Sequence, residues 1–236
     1  QLRVAIFSTG DEVTAPGEPL PADGIFDANR FSLRGLLTAL GVEVIDLGIL
    51  ADASQGMARA LEEAAAVADM VMTSGGVSVG QADWIKPALA ETGELGFWRI
   101  AMRPGRPLAF GRLGAERVPF FGLPGNPVST MVCALIFLKP AIDAQLGLDT
   151  SERGFESATL TEALGANGGR EEYIRATLEN TGGGDLRVSP FPVQDSSMMV
   201  PLSRSDCFIV RAPNEAAIKA GAEVSILKMP TATAAF

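Results

Sequence analysis

The sequence predicts an α/β domain, with a mostly parallel sheet flanked by helices, followed by a small all-β barrel domain. In the first part, short apolar runs alternate with amphipathic stretches, which is the pattern of βαβ units. Small-residue loops follow several of these runs. From residue 156 onward the helical period is lost, and short β-like runs are separated by Gly and Asn clusters, which favours a small antiparallel barrel or sandwich. We expect domains at residues 1–148 and 149–236.

The helices and strands of the first domain are predicted from the spacing of apolar residues and from the residues that begin or end helices. Continuous apolar runs predict strands that are buried on both faces, and amphipathic stretches predict helices. Gly41 is placed to end the first helix, and Pro127 suits the first turn of the last one. The predicted strands are 2–7, 43–47, 67–72, 97–102, 108–111 and 118–122, and the predicted helices are 30–40, 54–68, 84–90 and 130–138. In the second domain the clearest β-like runs are 173–178, 186–190 and 208–211.

The composition excludes several kinds of site. The chain has no histidine, which excludes His-based zinc sites and Ser-His-Asp triads and leaves a hard cation such as Mg²⁺ on carboxylates as the simplest metal. A net charge of −9 argues against nucleic-acid binding. The longest apolar candidate, Thr130–Leu138, is shorter than the roughly 18 residues that a membrane span needs. Cys133 and Cys207 lie in apolar surroundings, which predicts reduced core thiols and a cytoplasmic protein.

A glycine-rich loop at 73–83 is the strongest single motif. It follows a predicted strand and precedes a predicted helix, the arrangement with which α/β proteins hold phosphates. Its glycines permit close approach of backbone N–H groups, its serines add hydroxyl donors, and its aspartate lies at the helix entrance. The residues concerned are Ser74, Gly75, Gly76, Ser78, Gly80 and Asp83. The alternative is a turn in which Asp83 simply caps the helix.

Two further loops at strand ends resemble the first in chemistry. Thr9, Gly10 and Glu12 follow the first strand, and residues 122–129 place glycine and asparagine before a helix. Because the carboxyl ends of parallel strands share one sheet edge, Glu12, Asp52 and Asp83 should converge there. Asp27, which precedes Asn29 and the first helix, is also explained as a simple cap. Together the loops favour a phosphate-bearing ligand.

Arginines stand out in so acidic a chain. Arg99, Arg103 and Arg106 fall within eight residues, and Pro104 and Pro107 stiffen the loop that carries them. Planar guanidinium groups suit tetrahedral oxyanions, because two N–H donors align with two oxygens. The alternative is a solvated basic turn.

Five ordered motifs resemble those of the molybdopterin molybdenumtransferases, the MoeA and gephyrin E-domain family. The motifs are Ser-Thr-Gly-Asp-Glu at 8–12, Asp-x-Asn at 27–29, Ser-Gly-Gly-Val-Ser-Val-Gly-x-x-Asp at 74–83, Arg-Pro-Gly-Arg-Pro at 103–107 and Gly-Leu-Pro-Gly-Asn-Pro-Val-Ser at 122–129. In the second domain Arg170, Tyr173, Arg175, Gln194, Ser196 and Ser197 follow in matching order. The resemblance covers essentially the whole chain.

The resemblance implies a reaction in which adenylylated molybdopterin and molybdate give molybdenum cofactor and AMP, with Mg²⁺. It implies catalytic roles for Glu12, Asp52 and Asp83, of which Asp52 and Asp83 are the metal contacts. The implied molybdate contacts are Arg103, Arg106, Ser129, Arg175 and Ser197. The implied molybdopterin and nucleotide contacts are Thr9, Gly10, Asp27, Asn29, Ser74, Gly75, Gly76, Ser78, Gly80, Gly122, Pro124, Gly125, Asn126 and Pro127.

The chain also departs from the family pattern. The family usually has lysine at the positions of Arg99, Arg103 and Arg106, so the charge is kept while the geometry changes. Family members carry two further N-terminal modules, and we therefore expect this chain to be a C-terminal fragment with reduced activity, and the full-length protein to be a homodimer. Two alternatives stay open: a related molybdopterin adenylyltransferase, and a non-catalytic pterin-nucleotide-binding or scaffold module.

Overall fold

The computed structural model describes residues 1–50, 54–77, 84–97, 99–150, 154–182 and 184–230. The chain divides into two compact units. The first contains residues 1–100 and 105–148, and the second contains residues 101–104 and 149–236. The sequence did not indicate that residues 101–104 group with the second unit.

The first unit is built on a mixed sheet. The parallel strands are β1 (Arg3–Thr9), β4 (Glu43–Leu50), β5 (Met70–Ser74) and β9 (Val118–Leu123), and the strands at one edge are β8 (Ala109–Leu113) and β6 (Gly93–Phe97). Their order is β4-β1-β5-β9-β8-β6, and β8 runs antiparallel to both of its neighbours. A small parallel pair, β2 (Val13–Thr14) with β3 (Ile25–Phe26), lies in the loop after β1.

Helices cover both faces of this sheet. On one face α1 (Asn29–Ala39) packs against β1, β4 and α4 (Pro127–Cys133), and on the other α2 (Ser54–Val67) and α3 (Ile85–Thr92) pack together. Helix α1 buries Leu33, Leu36 and Leu37, whose spacing places them on one stripe. The predicted stop at Gly41 is confirmed, since this residue adopts φ +73° directly after the helix.

The predicted strand at 97–102 is wrong. The structure has β6 at Gly93–Phe97, and Met102–Arg103 forms a separate short strand, β7, that pairs with the second unit. The apolar residues of 97–102 resemble one strand, but they belong to two elements. Phe97 packs in a cross-strand aromatic cluster with Phe110 and Phe121, whereas Met102 is buried in the second unit.

The last helix of the unit is longer than the predicted 130–138. It runs from Pro127 through α4, a π-helical segment at Ala134–Leu138, and α5 (Lys139–Gln145). Pro140 has no N–H to donate to the preceding turn, which accounts for the widened segment. In the part of the chain that the structure describes, this helix is the one whose length and mean hydropathy of 1.4 would suffice for a membrane span. Half of it is buried in the unit, as in a core helix.

The second unit is a small closed barrel. Its strands are β10 (Phe155–Leu160), β11 (Glu171–Asn180), β12 (Leu186–Pro190), β13 (Cys207–Arg211) and β14 (Glu223–Lys228), and a short helix, α6 (Met199–Ser203), precedes β13. The order β12-β10-β14-β13-β11 closes because β11 also pairs with β12. The pairs are antiparallel except β10 with β12. Of the two alternatives, barrel and sandwich, the structure shows the barrel.

The prediction for the cysteines is confirmed. Cys133 and Cys207 are both free and buried, one in each unit. Burial raises the pKa of the Cys207 thiol to about 12, and it also raises the pKa of Cys133. Both thiols therefore remain protonated and serve as small apolar core residues.

Candidate functional site

The candidate site lies at the sheet edge where β1, β5 and β9 end side by side. Ser8 is in register with Ser74, and Ser74 is in register with Leu123. The backbone N–H of Gly75 donates to the Leu123 carbonyl oxygen at 3.1 Å, which continues the pairing into the loop. The structure thus confirms that the three predicted loops begin at one edge of the sheet.

Gly75 and Gly76 bring the loop after β5 directly against the end of β1. Both adopt positive φ, +91° and +66°. A Cβ on Gly75 would lie 2.5 Å from the Thr9 carbonyl oxygen, and a Cβ on Gly76 would lie 2.6 Å from the Thr9 hydroxyl oxygen. Neither position has room for a side chain, so glycine is required for this close approach of two backbones.

The loop after β1 places the Glu12 side chain against Gly10. Gly10 adopts φ +135°, and a Cβ there would lie 2.8 Å from Glu12 Oε2. The N–H of Val13 donates to the Gly10 carbonyl oxygen at 3.0 Å, which closes a turn around the glutamate. Glu12 is exposed, and within the described ranges its carboxylate has neither an ion-pair nor a hydrogen-bond partner. Its charge is therefore available to a ligand.

Several predicted residues lie outside the described residues. These are Asp52, Ser78, Gly80 and Asp83, so the structure does not show whether the three carboxylates converge. Among the residues that are described, no three Asp, Glu, Cys or His side chains gather in a way that could hold a metal ion. Of the three predicted catalytic carboxylates, Glu12 is the one that lies in the described part of the chain.

Asn29 joins the first helix to the two neighbouring loops. Its Nδ2 donates to Ser74 Oγ at 2.8 Å and to the Gly125 carbonyl oxygen at 2.6 Å. The side chain thereby ties α1 to the end of β5 and to the loop after β9. Asn29 thus lies at the sheet edge, and its contact with molybdopterin or nucleotide, which the family resemblance implies, stays a prediction.

Asp27 is a structural residue at the start of α1. It is 4% exposed and accepts hydrogen bonds from the backbone N–H of Arg30 at 3.1 Å and from Arg30 Nε at 2.9 Å. These contacts match the capping alternative that the sequence left open. The same guanidinium donates through Nη1 to Asp46 Oδ2 at 2.6 Å, so Arg30 links the helix start to β4.

The loop after β9 is held by its own helix. Thr130 Oγ1 donates to the Pro124 carbonyl oxygen at 2.6 Å, and Asn126 stands at the start of α4 with Pro127 in its first turn, as predicted. Ser129 is buried in that helix. Gly122 is buried in β9, where a Cβ would lie 2.5 Å from Val77 Cγ1. Gly122 therefore makes room for packing behind the loop.

Unpaired polar atoms concentrate at this edge. Among the described residues, the buried side-chain atoms without a hydrogen-bond partner are Ser8 Oγ, Thr9 Oγ1, Asn29 Oδ1 and Thr73 Oγ1. Ser8 and Thr9 end β1, Thr73 lies one residue before the end of β5, and Asn29 is bound to Ser74. Leaving such a group unpaired costs about 1–3 kcal/mol. Their grouping in one place is expected where a ligand completes the hydrogen bonding.

Ser8 and Thr73 lie within the motifs quoted above, but neither they nor Arg30 were predicted as site residues. The first two are small hydroxyl residues that complete otherwise apolar strands, and that signal is weak without the fold. Arg30 is the first basic residue after the Asp-x-Asn motif. Its spacing of three residues from Asp27 was a usable signal for a helix-start ion pair.

In the second unit, Arg175 is enclosed by the loop at 193–198. It is 1% exposed, and its Nη1 donates to the Met198 carbonyl oxygen at 3.0 Å. Its Nη2 donates to the carbonyl oxygens of Val193 and Asp195 at 3.2 and 2.9 Å, and its Nε donates to Gln194 Oε1 at 3.3 Å. Burial lowers the pKa of Arg175, and the charge of Asp195 partly offsets this effect. In this arrangement the guanidinium holds a loop together.

Of the other predicted molybdate contacts, Ser129 is buried, whereas Ser197, Arg103 and Arg106 are exposed. Ser197 Oγ donates to Asp195 Oδ1 at 2.7 Å. Arg103 lies in the second unit, where its Nη1 is 3.6 Å from Glu172 Oε1. Arg106 lies in the first unit, is exposed, and has no side-chain hydrogen bond to any residue that the structure describes. Arg106 thus offers the freest guanidinium of the predicted set.

Replacing Arg30 with methionine is expected to destabilise the first unit by about 3 kcal/mol. The substitution leaves the Asp27 carboxylate, whose side chain is 2% exposed, without its cation. Urea unfolding of the chain measures the loss. Arg34→Met is the control, because the Arg34 side chain is 59% exposed and lies 4.0 Å from Asp46. Equal losses for both variants would contradict the role assigned to Arg30.

The stability of the first unit should decrease at acidic pH. Burial acts to raise the pKa of Asp46, but hydrogen bonds from Arg30 and from the Gly48 N–H outweigh it, and the pKa lies below its ordinary value. The unfolded chain therefore binds the proton more readily than the folded one. The contribution of the Asp46 carboxylate to the free energy of unfolding is present above its unfolded-state pKa, about pH 4. This contribution is lost as the pH falls through the lower pKa of the folded state. Acid unfolding should be shallower in Asp46→Asn, and an unchanged profile would exclude this cause.

Comparison with known proteins gives two family matches. Residues 5–144 match the probable molybdopterin binding domain, and residues 157–229 match the MoeA C-terminal region (domain IV). The chain is 40% identical over 227 residues to the molybdopterin molybdenumtransferase of Haemophilus influenzae, which covers 96% of this chain and 56% of that protein. It is 33% identical over 231 residues to the molybdopterin molybdenumtransferase of Nostoc sp., which covers 97% of this chain and 53% of that protein.

Solved structures agree with these matches. The crystal structure of the molybdopterin biosynthesis MoeA protein from Pyrococcus horikoshii superimposes with a TM-score of 0.82 and 27% identity, covering 97% of this chain and 54% of that one. The chain therefore spans about half the length of the relatives that it matches.

Proposed function

Because the chain belongs to the family of probable molybdopterin-binding domains and continues into the C-terminal region of MoeA, we propose that it forms part of a molybdopterin molybdenumtransferase. In the proposed reaction, adenylylated molybdopterin and molybdate give molybdenum cofactor and AMP. The names of the curated relatives support this activity.

The main support for this proposal is the group of polar side-chain atoms at one sheet edge that have no hydrogen-bond partner among the described residues. Ser8, Thr9 and Thr73 present unpaired hydroxyl groups that can donate, where two positive-φ glycines keep the backbone free of side chains. The fourth unpaired atom, Asn29 Oδ1, is an acceptor and does not bind a phosphate oxygen. A phosphoanhydride carries several acceptor oxygens, and backbone N–H and hydroxyl donors at a strand end suit them. The edge is therefore a good candidate for binding the diphosphate linkage between pterin and nucleotide.

Within this proposal, the residues of the chain bind and orient the substrate. The loop after β5 and the loop after β9 hold the phosphates, and Glu12 supplies a catalytic carboxylate from the loop after β1. Arg106 is proposed to meet incoming molybdate, because it is exposed and its side chain has no hydrogen-bond or ion-pair partner among the described residues. The remaining predicted molybdate contacts, Arg103, Ser129, Arg175 and Ser197, stay part of the proposal.

Magnesium also stays a proposal. It would neutralise charge on the phosphoanhydride. Its proposed ligands, Asp52 and Asp83, lie outside the described residues. A cytoplasmic location and a homodimer of the longer protein are proposed with it.

Two other functions compete with this one. A molybdopterin adenylyltransferase would share the first domain, but the match of residues 157–229 to the MoeA C-terminal region favours the molybdenumtransferase. A non-catalytic binding or scaffold module would need no free carboxylate beside the phosphates, and Glu12 counts against it.

Calorimetric titration with adenylylated molybdopterin, with and without magnesium, tests the proposal. We expect binding that magnesium strengthens and that Asp83→Asn weakens. A folded sample that does not bind should be compared with a protein of the relatives' full length. If the longer protein also fails to bind, the proposed function is wrong.

A further inference from the structure

We propose that Asn29 is a positioning residue that directs the hydroxyl proton of Ser74 towards a phosphate oxygen of the ligand. The inference rests on the proposed function, because that function places a phosphate-bearing ligand at this edge. It assigns to Asn29 an effect exerted through another residue, beyond the general binding role suggested by its motif.

The orientation of the Asn29 amide follows from its contacts. Nδ2 lies 2.6 Å from the Gly125 carbonyl oxygen, which can only accept a hydrogen bond. The nitrogen must therefore be the atom on that side, and the reverse assignment of the amide would place two acceptors in contact. The second N–H of the same group reaches Ser74 Oγ at 2.8 Å. Both amide protons are then used.

The other end of the amide supports the same orientation. Asn29 Oδ1 is buried and has no donor among the described residues. An amide that could choose freely would turn this oxygen towards a donor such as a serine hydroxyl. The contact with Gly125 prevents that rotation, so the Asn29 side chain stays a donor to Ser74.

The hydrogen bond from Asn29 determines where the Ser74 hydroxyl proton can point. A hydroxyl group has one proton and two lone pairs, and the Asn29 N–H occupies one lone pair. The Ser74 proton must point elsewhere, and no acceptor among the described residues receives it. Ser74 is the last residue of β5 and directly precedes Gly75, so an anion held by the glycine loop is the natural acceptor. Charge-assisted bonds of this kind are the stronger ones.

A double-mutant cycle tests the inference, with adenylylated molybdopterin as the titrant and Kd as the readout. Ser74→Ala should weaken binding about tenfold, the loss of one hydrogen bond to a charged group. Asn29→Ala should weaken it by a similar factor. If Asn29 acts through Ser74, the Kd of the double variant should lie within twofold of the Kd of Ser74→Ala. Independent effects would instead raise Kd about a hundredfold over wild type.

Asn29→Asp provides a second, nearly isosteric variant. Its carboxylate accepts hydrogen bonds and would turn the Ser74 proton away from the ligand. We therefore expect Asn29→Asp to bind at least as weakly as Ser74→Ala. Thermal unfolding of every variant shows which of them remain folded at the titration temperature.

Thr130→Val is the matched control. Thr130 Oγ1 braces the same loop through the Pro124 carbonyl oxygen at 2.6 Å and does not touch Ser74. In a variant that combines Thr130→Val with Ser74→Ala, Kd should rise by the product of the two factors measured for the single variants. If the effects of Asn29→Ala and Ser74→Ala also multiply, or if Asn29→Ala binds like wild type, the inference is overturned while the proposed function stands. If wild type and a full-length relative both fail to bind, the proposed function fails instead.

Discussion

Replacing Glu12 with glutamine is expected to lower molybdenum transfer at least a hundredfold while leaving the Kd for adenylylated molybdopterin within threefold of wild type. A positioned carboxylate that transfers a proton contributes about 10²–10⁴ in rate. Glu12 is exposed beside Gly10 and makes no ion pair with a described residue, so its charge serves no structural contact. The measurement is turnover in a protein of the relatives' full length, with calorimetry for binding.

Glu18 offers a matched control for this variant. It is an exposed glutamate in the same loop, and its side chain makes no hydrogen bond within the described ranges. Glu18→Gln should leave both turnover and binding unchanged. If Glu12→Gln loses binding and turnover by the same factor, then Glu12 positions the substrate and does not act in the chemical step.

Replacing Gly75 with alanine should destabilise the first unit by about 2–4 kcal/mol and abolish ligand binding. The added Cβ would lie 2.5 Å from the Thr9 carbonyl oxygen, which is backbone and cannot move without shifting β1. Overpacking of this kind costs about 1–3 kcal/mol, and the positive φ of +91° adds a further penalty of about 1 kcal/mol. Urea unfolding and calorimetric titration measure the two effects.

Gly17→Ala separates backbone strain from the steric clash. Gly17 adopts φ +98°, close to that of Gly75, but a Cβ there would meet nothing within 4 Å. We expect Gly17→Ala to cost about 1 kcal/mol and to leave binding intact. Similar losses in the two variants would mean that the contact between Gly75 and Thr9 is not the cause.

The sequence predicted the first unit well where local signals and packing agree. The strands β1, β5 and β9 are mostly apolar because both faces of the sheet are covered by helices, whereas β4 at the sheet edge also carries Glu43 and Asp46. The loops that follow β1, β5 and β9 could be predicted to meet, because parallel strands bring their carboxyl ends to one edge. The antiparallel edge at β6 and β8 was harder, since its strands carry glycines and exposed residues.

The candidate site was predicted less completely than the fold. Motif residues such as Gly75 and Asn29 lie at the sheet edge as expected, but a motif does not say which atoms touch a ligand. Gly122 was predicted as a ligand contact, and the structure shows it buried behind Val77. Arg175 stays a predicted molybdate contact, and the structure adds that its guanidinium donates to loop carbonyl oxygens. Composition cannot distinguish an arginine that binds an anion from one that closes a loop.

The sequence by itself determined the α/β unit, the barrel and the sheet edge that holds the three loops, because hydrophobic period and glycine positions act locally along the chain. The tertiary structure decided which polar groups are left unpaired and which are already satisfied. Ser8, Thr73 and the oxygen of Asn29 lack partners only because strands and helices distant in sequence enclose them. Hydrogen-bond satisfaction depends on all neighbours in space, and a linear pattern records only the neighbours along the chain.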